Sequence, residues 1–260
     1  MLSSQQTSHT EQEQVDQIVV FDVWSSFAYF RRPYTTTNAL TYDFMPRSSI
    51  EGLIGAILGI QPKEVSKKLQ GAKIALGLLN PVKKLPFSTI HTHTDFWYEM
   101  NAYLELRVTS GKKDFRARAG MELLIEPRYR VYFSDRNYES QLAELLERHE
   151  TVFTPYLGTS TMIANFSYLG TFEYTSSVQD LSELSSILPY KVKLPAIAIE
   201  RRINYAIEQD IPSRIDENRE LLSSYSAIYN PDGLKIKVKN MVVNSFEFGG
   251  SRQNFVFLPS

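Results

Sequence analysis

The chain of 260 residues contains no cysteine. That absence excludes disulfide staples, thiolate metal sites and a cysteine nucleophile, and it fits a reducing compartment, so the expected location is the cytoplasm. Long apolar runs are missing as well. The longest candidate, 50–60, is interrupted by glycines and falls short of the roughly 20 residues a membrane span needs. The opening stretch MLSSQQTSHTEQEQVDQ has no apolar signal core, so residues 1–16 read as a disordered tail rather than a targeting peptide. Neither sign of charge is in excess, with 28 Lys and Arg against 29 Asp and Glu. A nucleic-acid site would have to arise from local clustering and not from a global basic field. The motifs GxxxxGK[ST], GxSxG and HExxH are absent too, which removes the P-loop, nucleophile-elbow and zincin readings. No internal repeat with a period of roughly 20 to 50 residues runs through the chain.

What is present is an ordinary globular composition, 43% hydrophobic and 22% charged, enough for one large domain or a domain with a smaller companion. Tyr and Phe number 15 each against two Trp. Such aromatics suit strand packing first and base stacking second. QIVVFDV at 17–23 reads as a first strand, and Pro33 holds the loop around Arg31 and Arg32 out of helix. A helix is expected over 49–58, a strand over 73–79, and a basic segment PVKKLP at 81–86. Alternating stretches then flank Ser110-Gly111-Lys112-Lys113 as an antiparallel hairpin or sheet. A strand at 128–133 and an amphipathic helix at 138–149 follow, then a turn at Leu157-Gly158-Thr159 and another strand. This order matches an α+β, ferredoxin-like βαββαβ unit over 17–175 with an elaborated middle. The Ser-rich, acidic stretch 176–186 reads as a linker or short helix. Residues 176–260 read as a small β-rich part, its strands KLPAIAIE, LKIKVKNMVV and NFVFLPS interrupted by the polar 209–220, with a turn at Asn230-Pro231-Asp232-Gly233.

The helix at 49–58 has the most specific pattern. Ser48 and Glu51 form an S-x-x-E capping box. Ile50, Leu53, Ile54, Ile57 and Leu58 make one apolar stripe, while Gly52, Gly55, Ala56 and Gly59 strip side chains from the opposite side. Gly59 suits a helix terminus, and each interior glycine costs about 1 kcal/mol relative to alanine. Close packing within the chain, or close approach of a second macromolecule, would offset that cost. The amide end of this helix, beside Arg47, Ser48 and Ser49, is a natural anion site.

Several motifs occur in a meaningful order: Phe30-Arg31-Arg32-Pro33, the segment from Thr41 to Ser48, and Gly52 to Gly59; then Glu126 to Tyr132, Pro155-Tyr156-Leu157-Gly158 and Asn254 to Leu258. Together they resemble the Cas-five family of CRISPR proteins, part of the RAMP superfamily. The resemblance implies a ferredoxin-like RNA-recognition fold with a β-hairpin thumb inserted at about 81–120. It implies a non-catalytic subunit of a Cascade surveillance complex in antiviral defence. That subunit holds the 5′ handle of the guide RNA (crRNA), caps the filament of backbone subunits and docks the large subunit that reads the PAM, meeting target DNA through the complex. In one subtype the family member itself cuts repeat RNA, so a metal-independent endoribonuclease is the alternative. The aromatic signature K/R-G-F/Y-G/A-F-V-x-F/Y is absent, so the usual sheet-stacking mode of RNA binding is not expected.

On this reading Arg31, Arg32 and Arg47 are phosphate ligands, Tyr34, Thr36 and Thr37 meet bases, and Ser48 adds its amide. Lys83 and Lys84, with Lys112, Lys113, Arg116 and Arg118, bracket the thumb and would touch RNA or the displaced strand. His91, His93 and Asp95 would share one face of a strand, a spacing that admits a metal, although a polar hairpin face is the favoured reading. His91 or His93 with Tyr34 and Lys83 or Lys84 could compose a cleavage site on paper, but they do not align with the cleaving relatives. Asp180, Glu183 and Glu200 make no recognisable carboxylate pair. No catalytic residue, metal or cofactor is therefore expected.

Overall fold

The structure, a computed structural model, describes residues 16–35, 38–92, 116–190, 204–218 and 220–260. In chain order the first part holds β1 (Gln17–Trp24), β2 (Phe27–Ala28), β3 (Asn38–Ala39), α1 (Arg47–Leu58), α2 (Val65–Lys68) and β4 (Lys73–Leu78). It continues through β5 (Lys84–Thr92), β6 (Arg116–Ile125), β7 (Arg128–Ser134), α3 (Glu139–Glu147) and β8 (Asn165–Glu173). The remainder is β9 (Thr175–Leu184), β10 (Leu188–Tyr190), β11 (Ala206–Ile215), β12 (Leu221–Tyr229), β13 (Ile236–Phe248) and β14 (Ser251–Phe255).

The unbroken apolar run of β1 has a simple cause. Val19, Phe21 and Val23 enter the main core, while Ile18 and Val20 enter a second cluster on the opposite face. A strand buried on both sides cannot alternate with polar residues. β1 lies in the middle of a four-stranded sheet of order β4-β7-β1-β8, antiparallel at every step. α1 lies on the connection from β1 to β4, and α3 on that from β7 to β8. On the second face Tyr132 stacks on Phe255 at 5.0 Å between ring centres, with Phe246 set edge-on against both.

The apolar stripe of α1 is buried as its spacing requires. Its start differs from the capping-box expectation. Pro46 occupies the N-cap position, no side chain caps the helix, and Glu51 turns instead to Arg47. Arg47 is 1% exposed. Its guanidinium donates to Glu51 Oε1 at 3.0 Å, to the Ala72 carbonyl at 2.7 Å and to the Leu258 carbonyl at 3.1 Å. It ties the helix start to the approach of β4 and to the C-terminal tail. The small residues divide into separate roles. A Cβ on Gly55 would lie 2.7 Å from Val65 Cγ2, so Gly55 serves the tight crossing of α1 and α2. Gly59 is a left-handed C-cap with φ 77°. Gly52 has nothing within 4 Å of where its Cβ would sit.

Two segments of the second part differ from the sequence expectation. The stretch 176–186, expected as a linker or short helix, lies largely in β9, and the first half of 209–220 completes β11. Both are held by distant partners, β9 by β13 and β11 by β12. Strand pairing over such separations overrides weak local propensity. The segment 193–200 lies outside the described residues. Residues Ile187, Ile211, Tyr225, Tyr229 and Leu258 share the main core with α1 and the first sheet. β5 and β6 pair antiparallel from Lys84 opposite Leu124 to Thr92 opposite Arg116. Residues 93–115, which would carry the rest of a thumb, lie outside the described residues.

Burial pushes Glu51 up to about 7, and the Arg47 charge and hydrogen bond oppose that rise. Replacing Arg47 by alanine strands that carboxyl and two carbonyls. The expected cost is about 3 kcal/mol or more in urea unfolding, because a buried charge loses its partner. A loss under about 1 kcal/mol, the range of a surface pair, would refute the structural role given to Arg47.

Candidate nucleic-acid interface

After β2 the chain makes a closed loop. Phe30 N–H donates to Thr41 Oγ1 at 3.0 Å, Tyr42 N–H to the Phe30 carbonyl at 2.9 Å, and Arg32 N–H to the Leu40 carbonyl at 2.9 Å. β3, inside this loop, runs parallel to β6 with Asn38 opposite Gly120. Arg32 spans the base of the loop. It donates to the Thr41 carbonyl at 3.0 Å, Glu208 Oε2 at 2.7 Å, Asp43 Oδ1 at 3.4 Å and Tyr34 Oη at 3.1 Å. Its guanidinium also lies 5.2 Å from the centre of the Tyr42 ring.

Lys84 closes the other side, 2.5 Å from Asp43 and 3.3 Å from Glu122. Asp43 accepts a further hydrogen bond from Tyr229 Oη, and its own N–H donates to Glu208 at 3.1 Å. The result is an interleaved set of two cations and three carboxylates joining the loop, the base of the β5–β6 pair, β11 and β12. The carboxylates separate in acidity. Burial, reinforced by the Asp43 charge, raises Glu208 to about 7. Burial also pushes Asp43 upward, but the hydrogen bonds from Lys84 and Tyr229 outweigh it and hold Asp43 below the usual range.

These contacts draw inward two of the expected phosphate ligands, Arg32 and Arg47, and one expected contact to RNA or the displaced strand, Lys84. Arg32 and Lys84 spend their donors on internal carboxylates, and Arg47 is buried in the helix-start cluster. Asp43, Glu122 and Glu208 are far apart in sequence, so no spacing signalled their convergence. Three expected residues do face solvent. Arg31 and Lys83 are exposed, and the Arg31 side chain reaches only the Thr35 carbonyl, at 3.5 Å. Tyr34 is 57% exposed while Arg32 holds its hydroxyl. An exposed ring with an anchored hydroxyl is a platform of fixed orientation. Arg116 and Arg118 lie on β6 opposite Thr92 and Ile90, a few residues before the strand meets β3. Thr36, Thr37, Lys112, Lys113, His93 and Asp95 lie outside the described residues, and His91 pairs through its backbone with Ala117. Among the described residues no cluster of His, Cys, Asp and Glu is arranged to hold a metal.

The amide end of α1 does not complete a cradle with these cations. Ser48 and Ser49 open onto a groove of about 530 Å³ whose charged lining, among the described residues, is Glu51 and Asp216. Glu51 is already paired with Arg47, and this lining brings no cation to the Ser48 amide, so that amide and Arg31 do not share one site.

A model of the family described as CRISPR-associated protein (Cas_Cas5) matches residues 18–228. The chain belongs to this CRISPR-associated family. No curated protein matches it significantly. Among solved structures it is similar to a CRISPR protein from Archaeoglobus fulgidus at 14% identity, covering 93% of this chain and 100% of that one with a TM-score of 0.51. That likeness speaks to the fold alone. A chain from a CRISPR RNA-guided surveillance complex matches at 12% identity, with 85% and 91% coverage and a TM-score of 0.48. A chain from a Type III-B Cmr-beta complex bound to cognate target RNA and AMPPnP matches at 12% identity, with 86% of each chain covered and a TM-score of 0.47. Among the described residues no helix is long and apolar enough to cross a membrane.

The raised Glu208 gives a pH signature. A carboxyl whose folded pKa is about 7 against an ordinary 4.5 contributes stability that is full below 4.5 and is lost as pH rises through 7. Glu51 acts in the same direction, and Asp43 acts oppositely at lower pH. Glu208→Gln is therefore expected to make the decline in unfolding free energy between pH 4.5 and 7 shallower. An unchanged slope in denaturant titrations across that window would contradict the assignment.

Proposed function

We propose that this chain is a non-catalytic RNA-binding subunit of a CRISPR surveillance complex. In this reading it grips the 5′ handle of the guide RNA, caps the filament of backbone subunits and docks the large PAM-reading subunit. Family membership over residues 18–228 supports a place in CRISPR defence. The succession β1–α1–β4–β7–α3–β8 with its sheet order is read as the ferredoxin-like unit, and the β5–β6 pair as the base of the thumb. The observation that carries the RNA role is the braced loop: Arg31 and the Tyr34 ring face solvent while Arg32 locks the backbone beneath them. Cations on phosphates and exposed rings on base faces are the means by which single-stranded RNA is held. Lys83 is exposed beside the start of β5, and the backbone of Arg116 and Arg118 lies on β6 of the same pair. Arg32 and Lys84 are engaged in internal pairs rather than left to stabilise a cleavage transition state, which supports a holding role over a cleaving one.

The test is a binding titration of full-length protein with guide RNA at two salt concentrations. Arg31→Ala is expected to weaken binding and to flatten the log–log salt slope by about 0.7, one phosphate's share for a single strand. Tyr34→Ala is expected to cost about 1–3 kcal/mol of binding through lost stacking. Arg31→Ala should leave the thermal midpoint unchanged, whereas Arg32→Ala should lower it more than Tyr34→Ala does. Unchanged affinity and salt slope in Arg31→Ala would remove the loop from the interface. Incubation with labelled repeat RNA in EDTA should leave the RNA intact; specific cleavage would favour the endoribonuclease.

A further inference from the structure

The groove along α1 has features that the RNA reading does not use, and neither Arg31 nor Tyr34 lines it. Its floor is the exposed backbone at Gly52, where 4 Å of clear space stands above the helix. Leu53, Ile60, Val65, Phe153, Tyr156 and Ile215 supply apolar walls. The segment after α3 adds a rim. Val152 and Phe153 are pinned to the end of α1 by N–H bonds to the carbonyls of Ile57 and Ala56, and Tyr156 pairs with Ile163. These four side chains are 57%, 39%, 45% and 58% exposed in chain order. Large apolar groups held rigidly in water beside a concave site mark a surface that is covered when the protein works.

The charge pattern selects the occupant. Among the described residues the lining carries carboxylates, Glu51 and Asp216, and no cation. Glu51 is already paired with Arg47, so Asp216 at the mouth sets the preference. Asp216 accepts N–H bonds from Asn218 at 2.9 Å and Glu220 at 2.6 Å through Oδ1; among the described residues its other oxygen has no hydrogen-bond partner, which suits it to an incoming donor. A nucleic-acid strand is disfavoured here, because its phosphates would meet Asp216 with no cation in the described lining. We infer that the α1 groove docks a segment of a partner protein, with a large apolar side chain seated over Gly52 and a neighbouring Lys or Arg directed to Asp216. A large side chain seated in a water-excluding pocket is the usual anchor of a protein hot spot, and a charged contact at its rim sets partner preference more than affinity.

Direct peptide binding tests this. The probes are a labelled short synthetic peptide carrying Phe followed by Arg, its counterpart carrying Phe followed by Glu, and an unlabelled oligoribonucleotide as competitor, all against the full chain. Gly52→Leu fills the groove and adds a better helix former, so it should fold with an equal or higher thermal midpoint. It is expected to weaken the Phe–Arg peptide about tenfold or more, equivalent to about 1.4 kcal/mol. Asp216→Asn keeps the Oδ1 turn acceptor and removes the charge, so it should abolish the preference for the Arg peptide over the Glu peptide. Absence of peptide binding, equal binding by Gly52→Leu, equal affinity for both peptides, or displacement of the peptide by the oligoribonucleotide would each overturn the inference.

Discussion

The constraint on which the rest depends is that a charge drawn out of bulk water must find a partner. The half-buried Arg32 meets it through Glu208 and Asp43, and the half-buried Lys84 through Asp43 and Glu122. A charge held partly out of water is disfavoured unless it is paired. These groups therefore fix the loop, the β5–β6 pair and the second part of the chain in one arrangement. The network holds the base of the loop that contains Pro33 to the sheet pair and to β11 and β12. Arg47 applies the same logic at the start of α1, where it joins the helix to the C-terminal tail. In both places an arginine that looks like a ligand for something outside is a fastener for something inside.

That division of labour organises the functional surface. Adjacent residues take opposite roles: Arg32 turns inward to brace, Arg31 stays outside. Tyr34 joins the two, with its hydroxyl in the network and its ring in solvent. A platform of this kind gives up less conformational freedom on binding than a mobile loop would. The α1 groove, with its apolar walls and acidic mouth, is a second and chemically different surface. On the proposed reading, the Arg31–Tyr34 loop would serve RNA and the α1 groove a protein segment.

The sequence carried much of the architecture in the first half. The apolar run of β1, the stripe of α1 and the Leu142–Leu146 spacing of α3 are local signals, and local signals are readable. The second half was less legible because its strands are held by remote pairing. Ser176, Val178 and Asp180 give no clear alternation, and β9 is a strand because β13 lies beside it. At the site, the positions of Arg31 and Tyr34 in an extended loop were visible from Pro33. The inward turn of Arg32, Arg47 and Lys84 was not, since Asp43, Glu122, Glu208 and Leu258 approach them only through the fold. The glycines of α1 were legible as a group and misleading as one: Gly55 packs, Gly59 terminates, and Gly52 alone leaves space.

The most direct measurement of the central claim is a photo-crosslinking map of guide RNA substituted with a photoreactive uridine, bound to the full-length protein and read by mass spectrometry of the adducts. The account predicts adducts on residues 31–34 and along the β5–β6 pair, with none on the groove residues Gly52 and Tyr156. Adducts concentrated in the groove, with the Arg31–Tyr34 loop unmarked, would contradict it.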